Sequence, residues 1–145
     1  MKAINKVVVG IHGDPLHRGH IEHIRKASEL GEVIVIMGSD EQIKRKYGYV
    51  LQPLYKRFER LMRKTPFVRG VIVSIDRDGT QVETLRMLEP MVFAKGGDRT
   101  PDNMPQAEID VCKEIGCQIV YGVGKKVNSS TAIRHRIEKF RNNEK

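Results

Sequence analysis

Between an apolar run, Val7-Val8-Val9, and a helical pattern starting near Ile21 lies the stretch Asp14-Pro15-Leu16-His17-Arg18-Gly19-His20. Its two histidines flank a glycine where a strand should give way to a helix. The first turn of a helix leaves four backbone N–H groups without intrahelical partners, and the dipole adds roughly half a positive charge there. Such an end accepts anions, phosphate above all. Gly19 has no Cβ and lets a ligand approach the backbone closely. His17 and His20 can face one side of the turn and donate to the same anion. Histidines at this spacing also occur as exposed helix-start residues or as two ligands of a metal. No further Cys, His or carboxylate stands at a spacing that completes a metal set. Gly10, Gly13 and the Asp14-Pro15 turn favour the phosphate reading.

Two further stretches carry chemistry of the same kind. Asn128-Ser129-Ser130-Thr131-Ala132-Ile133-Arg134 places a Ser/Thr run ahead of a helical pattern. The hydroxyls cap the helix and leave amides for phosphate oxygens, and Arg134, one turn in, adds a charged fork. Alone, such a run is more often an ordinary N-cap followed by a surface arginine. A second phosphate-type motif in the same chain reverses that balance. Lys95-Gly96-Gly97-Asp98 follows the apolar run Met91-Val92-Phe93-Ala94. Its glycines permit close approach, and Asp98 can accept from a ribose or a base. The plainer alternative is a tight turn with a solvated Lys and Asp.

The elements that must position these residues follow from apolar periodicity. Strands are expected at residues 5–10, 33–37, 71–74, 91–94 and 118–121, and helices at 19–30, 54–64, 80–89, 105–116 and 130–140. Val33-Ile34-Val35-Ile36-Met37 is apolar throughout, the mark of a parallel strand buried on both faces. Gly31 and Gly116 read as helix C-caps. Gly38-Ser39-Asp40-Glu41 starts a short helix, and residues 44–49 read as a mobile basic loop. Strands alternating with helices predict an α/β fold, a Rossmann-like parallel five-stranded sheet with helices on both faces, in one domain over residues 1–145. The loops at 11–20, 38–41, 95–99 and 122–130 all follow strands and should converge on one rim.

Composition sets outer bounds. The chain has 145 residues, is 39% apolar and 30% charged, and carries a formal net charge of +8, as expected of a soluble domain that needs no disulfide or metal staple. Cys112 and Cys117 read as reduced thiols near a core helix and strand. No apolar run approaches a membrane span and the N-terminus has no secretory h-region, so the expectation is a cytoplasmic protein. The positive charge suits either nucleic acid or a cleft that collects several phosphates.

The histidine stretch resembles the HxGH signature of the nucleotidyltransferase superfamily that includes cytidylyltransferases, pantetheine-phosphate adenylyltransferase and NMN adenylyltransferase. Asp14, His17, Gly19 and His20 match its usual form, G-[TS]-F-D-x-x-H-x-G-H, while Ile11, His12 and Gly13 stand where Gly, Thr and Phe are usual. Ser129-Ser130-Thr131 and Arg134 are similar to the family's I-S-S-[ST]-x-x-[RK], with Asn128 in place of Ile. Lys95-Gly96-Gly97-Asp98 looks like the same segment in the adenylyltransferase domain of ADP-heptose synthesis, with glycerol-3-phosphate cytidylyltransferase the next match.

The resemblance implies transfer of a nucleoside monophosphate from ATP or CTP to a phosphorylated small molecule, a sugar or polyol phosphate, with release of pyrophosphate. It implies catalytic roles for His17, His20 and Arg134. Nucleotide contacts are implied for Gly10, Ile11, His12, Gly13, Asp14, Gly19, Lys95, Gly97, Asp98, Ser129, Ser130 and Thr131. Lys46 and Arg57 would lie at the acceptor, Mg²⁺ would bridge phosphate oxygens without a dedicated protein metal site, and the protein would be a homodimer. Its partners would be the two substrates, not nucleic acid or membrane. The alternatives are an adenylyltransferase for a cofactor precursor of the FMN or phosphopantetheine type, and a non-enzymatic protein that binds nucleotide or nucleic acid.

Overall fold

A computed structural model of the chain describes residues 3–124. The phosphate motif expected at Ser129, Ser130, Thr131 and Arg134, with the helix expected at 130–140, lies outside the described residues. Five parallel strands stand in the order β3-β2-β1-β4-β5, where β1 is Ala3–Ile11, β2 Glu32–Met37, β3 Gly70–Val73, β4 Pro90–Ala94 and β5 Gln118–Val120. Helices α1 (Arg18–Ala27), α2 (Asp40–Tyr47), α3 (Leu54–Lys64), α4 (Val82–Leu88) and α5 (Gln106–Ile115) make the connections. The parallel α/β expectation holds.

The pleat of β1 explains the two cores. Val7, Val9 and Ile11 point to one face and meet Leu16, Ile24, Ala27 and Leu61. Val8 points to the other and meets Leu85, Phe93, Val111 and Cys112. A side chain buried on each face at successive positions leaves no room for a polar residue, hence the unbroken apolar run. Both cysteines are free and buried, as expected.

Strand order reverses beside β1: the chain moves out to β2 and β3, then returns to the far side of β1 as β4. Ligands of open α/β sheets bind at such a switch, outside the carboxyl ends of the strands. By that rule the crevice falls between the carboxyl ends of β1 and β4, at Gly10–Ile11 and Ala94–Lys95.

Two local expectations are corrected. Residues 44–47 are not loop but the last turns of α2, which Gly48 closes in the left-handed region at φ 88° with its N–H on the Lys44 carbonyl. Buried Ile43 anchors this helix, so the Lys44-Arg45-Lys46 run is its solvated side. Helix α1 stops at Ala27, and Gly31 lies beyond its cap. The requirement at Gly31 is close approach: a Cβ there would sit 2.4 Å from the Asn5 carbonyl oxygen. Among the described residues no helix is long and apolar enough to cross a membrane.

Candidate active site

Helix α1 begins on a reciprocal cap made by the two histidines. The His17 Nδ1 accepts from the His20 amide at 3.4 Å, and the His20 Nδ1 accepts from the His17 amide at 3.2 Å. Serine or aspartate usually caps, with Glu or Gln reaching back from N3; here imidazoles play both parts. Because each Nδ1 is an acceptor, the proton of each neutral ring sits on Nε2. The rings stack with centroids 3.7 Å apart and planes 23° off parallel. Packed this way, the pair presents two Nε2–H donors beside the free amides of the helix start.

The environment keeps the pair uncharged. Burial, reinforced by the nearby charges of His17, His23 and His12, pulls His20 down to about 3, and burial lowers His17 as well. Both rings are therefore neutral donors at pH 7.

This has a consequence for stability. The unfolded chain takes up a proton at His20 below about pH 6.5, while the folded chain resists until about 3. Stability is thus fully present above pH 6.5 and falls as pH drops toward 3, by at most about 1.4 kcal/mol per pH unit for one proton. Thermal unfolding should show a falling midpoint from pH 7 to 5 that is shallower in His20→Gln. Equal slopes for both proteins would contradict the assignment.

The loop ahead of the helix is held by two buried charges. Asp14, fully buried, accepts from the amides of Leu51 and Gln52 at 2.8 and 2.7 Å. Arg57, also fully buried, donates through Nε to the Gln52 carbonyl at 3.0 Å and through Nη1 to the His12 and Gly38 carbonyls at 2.7 and 2.8 Å. Its Nη2 pairs with Asp40 Oδ1 at 2.6 Å. These two residues tie segments 12–14, 38–40 and 51–54 into one rim.

That geometry gives both side chains a structural task in the protein itself. The Arg57 guanidinium, expected at the acceptor, is enclosed and bonded to three carbonyls and a carboxylate. Asp14 accepts from the 51–52 amides through both carboxylate oxygens, which orients the loop ahead of α1. Ile11 likewise gives its side chain to the core, so it could meet a ligand only through its backbone. Lys46 lies exposed on α2, its Nζ 5.2 Å from the Tyr47 ring centroid. Gly13 adopts the left-handed region at φ 65°, turning the chain from β1 toward α1, and Gly19 lies in the first turn of α1. His12 packs its ring against Gly38, where a Cβ would come within 2.0 Å of Nδ1.

On the other side of the crevice, Lys95 directly follows β4, its side chain 15% exposed and Nζ 4.5 Å from the Phe93 ring centroid. Burial pulls its pKa below the usual lysine range, while the Glu108 carboxylate at 3.6 Å opposes the fall. Gly97 and Asp98 are exposed on the following turn. The Val123 amide donates to the Lys95 carbonyl at 2.9 Å. The Val123 carbonyl in turn meets His23 Nδ1 at 2.6 Å, and a Cβ on Gly124 would sit 2.9 Å from the His23 Cα. The described structure thus brings His17, His20, Gly19 and the backbone of 10–13 to one lip, and Lys95 with the 122–124 loop to the other.

His23, Gln81 and Glu108 escaped the sequence reading. His23 had a usable signal, lying one turn beyond His20 on the same helix. Gln81 and Glu108 had none, because their connection joins residues far apart in the chain.

Comparison with known proteins matches residues 13–136 to the family described as Cytidylyltransferase-like. The chain is 33% identical over 111 residues to the bifunctional protein HldE of Pelobacter propionicus, covering 74% of this chain and 22% of that protein. It is 30% identical over 140 residues to HldE of Geobacter metallireducens, covering 93% and 26%. The chain therefore spans about a quarter of the length of these curated relatives. Among solved structures, a lipopolysaccharide core biosynthesis protein from Thermoplasma volcanium superposes with a TM-score of 0.67 at 19% identity, over 85% of this chain and 98% of that one. A protein from Archaeoglobus fulgidus superposes with a TM-score of 0.62 at 15% identity, over 85% and 99%. At these identities the likeness is one of fold.

Proposed function

Because this chain belongs to the cytidylyltransferase-like family, we propose that it transfers a nucleoside monophosphate from ATP or CTP to a sugar or polyol phosphate. The observation that carries this reading is the reciprocal cap of His17 and His20, which leaves the Nε2–H of two neutral rings as donors at a helix start. An oxygen of the acceptor phosphate attacks the α-phosphorus, the bond to the β-bridging oxygen breaks, and pyrophosphate leaves with that electron pair. The attacking oxygen is already anionic, so no protein nucleophile or base is required. The work left to the protein is alignment and stabilisation of charge on the α-phosphate. His17 and His20 supply donors there, and Lys95 supplies charge from the opposite lip.

Thr131 and Arg134 belong to the same reading, as holders of the departing pyrophosphate. Among the described residues no group of three His, Cys, Asp or Glu could hold a metal. The proposed Mg²⁺ would enter on the triphosphate, whose charge it offsets, and no step above is assigned to it. The sugar or polyol choice rests on the Lys95-Gly96-Gly97-Asp98 segment and its likeness to ADP-heptose synthesis. Release of pyrophosphate with ATP, CTP, GTP or UTP, each against heptose 1-phosphate, glycerol 3-phosphate, FMN and phosphopantetheine, tests it. Release confined to one nucleotide with a sugar or polyol phosphate is expected. Release only with FMN or phosphopantetheine would move the assignment to a cofactor precursor. Failure to bind any triphosphate would overturn it.

A further inference from the structure

Across the crevice from the histidines, a buried relay runs from the sheet to Lys95. Gln81, at the N-cap of α4, lays its side chain on Gly10, 3.7 Å from where a Cβ would stand. The Gln81 backbone N–H donates to Glu108 Oε2 at 3.0 Å. Glu108, in the first turn of α5, is only 3% exposed and directs its other oxygen at Lys95 Nζ, 3.6 Å away. That oxygen is buried with no hydrogen-bond partner, an expensive arrangement for a carboxylate. The Lys95 ammonium is the charge that offsets that cost, so the two buried groups depend on one another. The relay ends at the strand-order switch, where an anionic ligand would enter.

We propose that Glu108 is a positioning residue, fixed by the Gln81 backbone N–H, that holds the Lys95 ammonium at the crevice to meet a phosphoryl group of the ligand. The inference rests on the nucleotidyltransferase reading above and adds a residue to it. The 3.6 Å separation is too long for a hydrogen bond, so Lys95 keeps its donors for the ligand while Glu108 supplies the field. Phosphoryl oxygens could come from the triphosphate or from the acceptor. The triphosphate is the expected source, since Lys95 begins the loop tied to residues 122–124 and thus to α1.

The charges that bear on Lys95 come from four directions. Glu108 and Cys112 of α5 favour its charged form, burial beside Phe93 and the charge of Arg99 disfavour it, and His23 of α1 lies close by. The binding form is the ammonium, so affinity is present below the Lys95 pKa and lost as pH rises through it. Removing the Glu108 charge lets burial win at a lower pH.

The experiment is a titration of ATP and of CTP against the protein from pH 6 to 10, without acceptor, so that binding is read independently of turnover. Glycerol 3-phosphate is titrated separately as the probe for the acceptor phosphate. In Glu108→Gln the alkaline loss of triphosphate affinity should move down by about one pH unit, which is about tenfold at a pH on that limb. Adding Lys95→Arg should restore affinity there, because arginine stays charged throughout. If the limb moves for glycerol 3-phosphate and not for the triphosphates, the relay serves the acceptor. A uniform loss at every pH, or a limb that Lys95→Arg does not restore, overturns the proposal and leaves Glu108 a structural residue. Should Glu108→Gln fail to fold, Lys95→Arg alone must flatten the wild-type alkaline limb, and an unchanged limb refutes it. Triphosphate binding that behaves as expected without pyrophosphate release from any pair would sink the reaction and not the relay.

Discussion

Replacing His17 with alanine is expected to lower kcat/KM by about 10²–10³-fold, the range seen when one preorganised donor to a developing oxyanion is removed. Two effects are mixed in that change. The substitution deletes the Nε2–H that the proposed reaction uses at the α-phosphate, and it also deletes the Nδ1 that caps the His20 amide. Loss of an N-cap costs roughly 1 kcal/mol of stability. His17→Asn separates the two, because asparagine caps well but cannot reach as far as an imidazole Nε2. It should recover the stability and leave the activity low. Steady-state kinetics with thermal unfolding on both variants reads the outcome. A loss of activity below about tenfold, under roughly 1.4 kcal/mol of barrier, would remove His17 from the catalytic set.

The second large effect is on stability. Arg57→Met keeps the aliphatic stem and removes the guanidinium, leaving the carbonyls of His12, Gly38 and Gln52 and the Asp40 carboxylate without that partner. Asp40, 46% exposed, can be met by water, so the cost comes from the three orphaned carbonyls, at roughly 1 kcal/mol or more each and about 3 kcal/mol together. For a chain of this size that is a fall in midpoint of roughly 10 °C. Denaturant unfolding should show a lower midpoint at an unchanged slope. Arg57→Lys should recover little, since a single ammonium cannot span the same acceptors in a plane. A cost under about 1 kcal/mol would mean that solvent reaches those carbonyls readily, and the rim would not depend on Arg57.

The contrast between His17 and Arg57 shows what the sequence could reveal. His17, Gly19 and His20 lie within one turn, so their spacing alone places them on a common helix start. Arg57 stands among Lys56, Arg60 and Arg63, and nothing local separates the one enclosed guanidinium from its solvated neighbours. Its burial is set by residues 12, 38, 40 and 52, which come together only when the sheet forms. The same holds for Glu108, reached by Gln81 across α4. The sheet was legible because strand burial writes itself into consecutive residues such as 33–37. Helix α2 was only half legible, since Lys44-Arg45-Lys46 hid the helical spacing of Gln42, Ile43 and Tyr47 from a reading weighted toward charge. Gly48, in the left-handed region, was the signal that the helix ran to that point.

The contact between His12 and Gly38 also bears on how this chain could have diverged. The imidazole occupies the volume where any other residue at 38 would place its first carbon, and the Gly38 carbonyl is held from behind by Arg57. Position 38 is therefore frozen for as long as position 12 carries a large ring. Descent must run in a fixed order: a small residue arises at 12 first, and only then can 38 drift away from glycine. The reverse route passes through a protein in which the His12 ring is displaced from its packed position. Among homologues the two positions should covary, with bulk at 12 found only opposite glycine at 38, and a library randomised at both sites should return that same pairing.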